Sequence, residues 1–177
     1  KDIGYYIFQI PFWRDLLGWA FQFVLVVTIV VAVFYYLSGG IRVQGRGLRS
    51  APGVKLHLSV LLAVIALLKA AAYWLDRYDL LFSERGAVFG ATYTDLAARK
   101  PALTLLFFIS LFAALLLLVN VRIRGWILPA SAVGLWLVTS VALGAIWPAA
   151  VQRFSVQPDE INKELPYIED HIAATRD

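Results

Sequence analysis

Four apolar stretches run through this chain, and charged residues bracket each of them. The first lies between Asp15 and Arg42, with Leu16 to Leu37 as its core. The second lies between Lys55 and Asp76 and contains one charge, Lys69. The third lies between Lys100 and Arg122, and the fourth between Arg124 and Arg153. At about 1.5 Å rise per residue, each is long enough to cross about 30 Å of hydrocarbon as a helix. Membrane strands would alternate apolar and polar residues, and these runs do not. The pattern predicts an all-α, polytopic membrane protein with four transmembrane helices at about 16–37, 56–75, 102–121 and 127–148. Residues 1–15 are then an interfacial segment, 16–151 the membrane domain, and 152–177 a helical tail that starts an extracytoplasmic region.

The charges between the spans orient them. Ser38 to Lys55 carries Arg42, Arg46, Arg49 and Lys55 with no acid, and the link between spans three and four carries Arg122 and Arg124. Four spans place both loops on one side, and the positive-inside rule makes that side cytoplasmic. Asp76 to Lys100 holds four acids and four bases, while the tail beyond Arg153 is acidic. Both ends of the chain and the middle loop are therefore expected outside.

Composition agrees: of 177 residues, 60% are hydrophobic and 16% charged, against about half and a quarter in soluble domains. That excludes disorder, collagen and a nucleic-acid-binding tail. No cysteine is present, which removes disulfides, thiolate metal sites and cysteine nucleophiles. The first span is too long, and lacks the basic flank, for a signal peptide. The chain has no methionine and is expected to be an internal or processed piece of something longer.

Aromatic residues gather at the expected outer boundary. Tyr5, Tyr6, Phe8, Phe12, Trp13 and Trp19 open the first span, and Tyr73, Trp74, Tyr78, Phe82, Phe89 and Tyr93 cluster around the middle loop. They form an interfacial belt, with a stacking site for an aromatic ligand as the alternative. In the tail, Pro158 followed by Asp159 and Glu160 predicts a helix start, and Pro166 with Glu169 and Asp170 repeats the pattern. Ile168 and Ile172 would share a face.

Several strings carry a family resemblance: YYIFQIPF at Tyr5–Phe12, YLSGGIR at Tyr36–Arg42, the long run HLSVLLAVIALLKAAAYWLDRYDLLFSERGAVFGATYTD from His57 to Asp95, and VQRFSVQPDEINKELPYIEDHIAATRD from Val151 to Asp177. In order and spacing the chain resembles Uncharacterised Protein Family 0182, large bacterial membrane proteins with several N-terminal spans and a big extracytoplasmic region. The resemblance implies preceding spans and a downstream region outside this chain, and a bacterial plasma membrane as its location. It implies no activity.

Candidate chemistry is sparse. Lys69, an ionisable residue inside a span, is a functional candidate by default. It lies about two turns from the outer end, where its ammonium can snorkel, and Asp76 is seven residues on along the same face, with Tyr73 one turn away. His57, beside Lys55 at the cytoplasmic edge, is a weak candidate for a cofactor ligand against a simple interfacial hydrogen bond. His171 sits among acids, without EF-hand spacing. The Ser38–Gly39–Gly40 turn and Gly45–Arg46–Gly47 form a basic loop with no Walker A string; its bases suit lipid head groups or topology alone. Small residues at Ala130 and Gly134, and again at Ser140 and Gly144, predict close helix packing, with Pro148 kinking the outer end. Asn120 is expected to add an interhelical hydrogen bond.

No Ser-His-Asp order, zincin helix or Rossmann string is present. The expectation is a non-enzymatic module that anchors an extracytoplasmic region or serves as a structural subunit. It needs no cofactor, and its partners are membrane lipids and other spans. The alternative is a transporter or lipid-handling protein using Lys69 and the aromatic middle loop. A cofactor-binding subunit using His57 is a distant third.

Overall fold

In the computed structural model, residues 3–44, 47–83, 90–121 and 126–176 are described, without the side chains of 42–44, 47–49, 170, 171 and 174–176. Among the described residues, four helices are long and apolar enough to cross a membrane: α1 (Tyr5–Leu37), α2 (Pro52–Phe82), α3 (Asp95–Val119) and α4 (Ile127–Glu169). The protein is a polytopic helical membrane protein. The loop after α1 adds a feature the apolar pattern does not announce, an antiparallel ladder of β1 (Ile41–Gln44) and β2 (Gly47–Ser50), with Ile41 opposite Ser50 and Gln44 opposite Gly47.

Prolines govern the helices. Among the described residues there are four π-turns, Tyr5–Gln9, Asp95–Arg99, Ala142–Ile146 and Gln152–Val156. Each ends two residues before a proline: Pro11, Pro101, Pro148 and Pro158. Proline has no N–H for the carbonyl four residues back, and its ring crowds that carbonyl. The helix widens instead. The N–H just before the proline reaches one residue further, so Ile10 donates to Tyr5, Lys100 to Asp95, Trp147 to Ala142 and Gln157 to Gln152. Widening lets each helix pass its proline. The N-terminal segment is therefore part of α1 from Tyr5 onward, and α4 arrives at Pro158 already helical rather than starting there. Its polar last stretch, Glu160–Arg176, follows a short 3₁₀ turn at Gln157–Asp159.

The chain forms two compact units, and α2, α3 and α4 contribute to both. Unit 1 comprises residues 1–72 and 108–136. Its core joins Ala63 and Ala66 of α2 to Ala114 and Leu117 of α3, with Leu62 and Val133 alongside. Along α2, the buried positions Ser59, Ala63, Ala66 and Ala70 recur at alternating spacings of four and three. Along α3, Ser110, Ala113, Leu117 and Asn120 do the same. Small side chains at such spacing let backbones approach, the main source of helix adhesion in lipid. At the end of α1, Gly39 takes φ 73° and its N–H meets the Tyr36 carbonyl, the left-handed cap glycine accepts without strain. A Cβ on Gly40 would stand 3.2 Å from Val54 Cγ2. Trp126 Nε1 donates to Ser50 Oγ at 3.0 Å.

Unit 2 comprises residues 73–107 and 137–177. The opening of α3 packs against Trp147–Val151 of α4, where fully buried Ala98 and buried Pro148 allow close contact. Tyr73 and Ser140 share a hydroxyl–hydroxyl bond of 3.1 Å, and Trp74 packs on Phe107 with ring centroids 5.2 Å apart.

Candidate functional site

The opening of α3 is built by a reciprocal cap. Thr92 Oγ1 accepts from the Asp95 N–H, and Asp95 Oδ2 accepts from the Thr92 N–H, both at 3.3 Å. This is the capping box, in which two residues three apart satisfy each other's orphan donors. The Thr92 hydroxyl also donates to Asp95 Oδ2 at 3.0 Å, and Arg99 Nη1 donates to Asp95 Oδ1 at 3.0 Å. The fully buried Asp95 carboxylate is thus neutralised by an ion pair one helical turn away.

The cap also fastens α4. Thr94 Oγ1 donates to Gln152 Oε1, and the Tyr93 N–H donates to Glu164 Oε2 at 3.4 Å. The Lys163 ammonium lies 4.9 Å from the Tyr93 ring centroid and donates to Ser155 Oγ at 2.5 Å. Between cap and helix lies a cavity of about 420 Å³. Thr92, Thr94 and Gln152 make its polar end, and Gly144, Ala145, Pro148 and Ala149 its apolar wall. All of these residues except Thr92, which opens the cap, lie in a π-turn, beside one, or on the short helix joining two of them. Among the described residues, no charged side chain is part of the lining.

With this geometry in hand, comparison with known proteins is decisive on one point. The family model for Uncharacterised protein family (UPF0182) matches residues 1–177. The chain belongs to UPF0182. Over 99% of its length it is similar to UPF0182 proteins of Frankia alni (49% identical), a Nocardioides species (46%) and Streptomyces coelicolor (43%). It spans only 17–18% of the length of those relatives. No solved structure matches it.

The residues singled out in the UPF0182 sequence fall in different places. Lys69 is half-buried in unit 1, its ammonium 5.2 Å from the centroid of the Phe21 ring. Asp76 is half-buried further along α2. His57 is exposed, and its Nδ1 shares a hydrogen bond of 3.1 Å with the Tyr35 hydroxyl. Asn120 is a correction: it is fully buried, and neither its Oδ1 nor its Nδ2 has a partner among the described residues. It therefore makes no interhelical side-chain bond to a described residue.

The two small-residue pairs of α4 behave differently: Ser140 and Gly144 approach α2 and α3, with a Cβ on Gly144 4.0 Å from Leu106 Cδ1, whereas Ala130 and Gly134 do not. Ala130 is exposed, and a Cβ on Gly134 would meet nothing within 4 Å. Close packing in unit 1 lies instead on the Ser59–Ala70 face of α2. Ser140 bonds Tyr73, and Gly144 lines the cavity. Lys55 is partly buried at the start of α2. Arg46, Arg122 and Arg124 lie outside the described residues, as do the side chains of Arg42, Arg49 and His171. No cluster of three metal-ligating side chains occurs among the described residues.

The sequence reading missed Thr92, Thr94, Asp95 and Gln152. The Thr-x-x-Asp string at Thr92–Asp95 is a signature that could have found the cap. Gln152, pairing 58 residues from Thr94, leaves no local signal.

Proposed function

We propose that this chain is a non-enzymatic membrane module that anchors and positions an extracytoplasmic region of a UPF0182 protein in the bacterial plasma membrane. One observation carries the reading: α4 passes from its apolar stretch into the acidic tail as one helix, and the α3 cap holds it there through Thr94–Gln152 and Tyr93–Glu164. A helix fastened on both sides of its first charge, Arg153, transmits position to whatever follows. A path through Lys69 is the weaker reading, because its ammonium rests on the Phe21 ring, a contact suited to a desolvated structural charge. The exposed apolar length of α1, where only Ile10 and Thr28 of Ile10–Leu37 are buried, suits lipids and other spans as partners.

Reporter fusions after Arg176 test this. Alkaline phosphatase placed there should be active, and should stay in the membrane fraction through alkaline carbonate extraction. An inactive phosphatase at that junction, with an active cytoplasmic reporter in its place, would reverse the orientation. Release by carbonate would end the anchor reading.

A further inference from the structure

We propose that the cavity between the α3 cap and α4 is a binding site for the acyl ester of a membrane lipid, with the ester at Gln152 and the chain along the Gly144–Ala149 wall. Its volume of about 420 Å³ falls within the range of about 300–1,000 Å³ usual for small-ligand sites. One wall is made only of glycine, alanine and proline side chains, which offer an alkyl chain surface and nothing to hydrogen-bond. The other end is polar and already partly committed. The Thr94 hydroxyl occupies Gln152 Oε1 and so turns the amide, leaving the two Nε2 hydrogens to donate. The Thr92 hydroxyl is held in the cap by Asp95.

A neutral donor beside an apolar slot matches a carbonyl carried on a hydrocarbon chain. None of the described lining residues is charged, so they offer a phosphate or ammonium no partner. The head group therefore stays outside and is not selected. The site also lies where α4 changes from apolar residues to its first charge, Arg153, the depth at which lipid esters reside. This assignment goes beyond anchoring and stands or falls separately from it.

The test uses the full-length protein in phosphatidylethanolamine vesicles doped with a phospholipid bearing a photoreactive group on one chain, in ester-linked and ether-linked forms. Labelled peptides are mapped by mass spectrometry. The wild-type protein should label within residues 144–152 and favour the ester form about three- to tenfold, the worth of one neutral hydrogen bond. Gln152→Leu should keep labelling and lose that preference. Ala145→Phe, which fills the slot, should abolish labelling there, while Gly134→Phe, on an open surface, should not. Exchanging the phosphatidylethanolamine head group for phosphatidylglycerol should change nothing. Equal labelling by ester and ether forms, or dependence on the head group, overturns the proposal. So does a cysteine at Ala145 cross-linking to another segment of the protein, since the cavity would then be filled by protein. Should Ala145→Phe fail to fold, the Gln152→Leu comparison decides alone.

Discussion

Asn120 sits fully buried, and neither end of its amide has a partner among the described residues; the hydroxyls of Ser59 and Ser110, buried along the same seam, have none there either. A buried polar group without a partner costs about 1–3 kcal/mol. Asn120→Leu in the isolated chain is therefore expected to raise the thermal midpoint in detergent, and Ser59→Ala and Ser110→Ala to leave it unchanged or slightly higher. A fall for Asn120→Leu would mean the amide is satisfied after all. Lys69→Leu should fold and insert as the wild type does, because it replaces a charge resting on an aromatic face with a shorter apolar side chain that suits the span. Loss of function in the intact protein at an unchanged level of folded material would reinstate a path through Lys69. Lys69 and Asn120 were visible in the sequence as polar interruptions of apolar runs. Their surroundings were not, since Phe21 lies 48 positions from Lys69 and no local pattern reports so distant a neighbour.

Helix existence followed directly from apolar length, but helix ends did not. Read locally, Pro148 marks a kink and Pro158 a helix start, yet a single widened turn carries the chain past each of them, as it does past Pro11. The packing seam was legible in principle: serine and alanine at spacings of four and three mark α2 as plainly as glycine and alanine seemed to mark α4. What separates the two is whether a neighbour arrives, and that is a tertiary fact. Two substitutions probe these elements. Ala66→Leu overfills the seam and should cost about 1–3 kcal/mol, read as a lower melting temperature, whereas Val60→Leu on the exposed side should be neutral. Thr92→Ala removes the cap of α3 and should cost about 0.5–2 kcal/mol; Thr92→Ser should restore most of it. An unchanged melting temperature for Thr92→Ala would show that the cap is ornamental to stability.

For the molecule as a whole, orientation is the reading with the broadest consequence, and it rests on the loop bases. Because the chain has no cysteine, single cysteines report cleanly. Gly53→Cys, where a Cβ meets nothing within 4 Å, should label with an impermeant maleimide only after permeabilisation. Ile161→Cys, exposed on the tail, should label in intact cells. Both reacting from outside would refute the arrangement.

The widened turns before Pro148 and Pro158 carry a further implication about phase. A π-turn is an α-helix with one surplus residue, and each residue advances the helix by about 100°. Two surplus residues in α4 turn the helix that arrives at Gln157 by about 200° relative to an uninterrupted one, ahead of the 3₁₀ turn that leads on to Glu164 and its bond to Tyr93. A relative without one of these prolines should be one residue shorter at that turn if it keeps the same fastening. Aligning such a sequence without a gap would assign every later side chain of the helix to the wrong face.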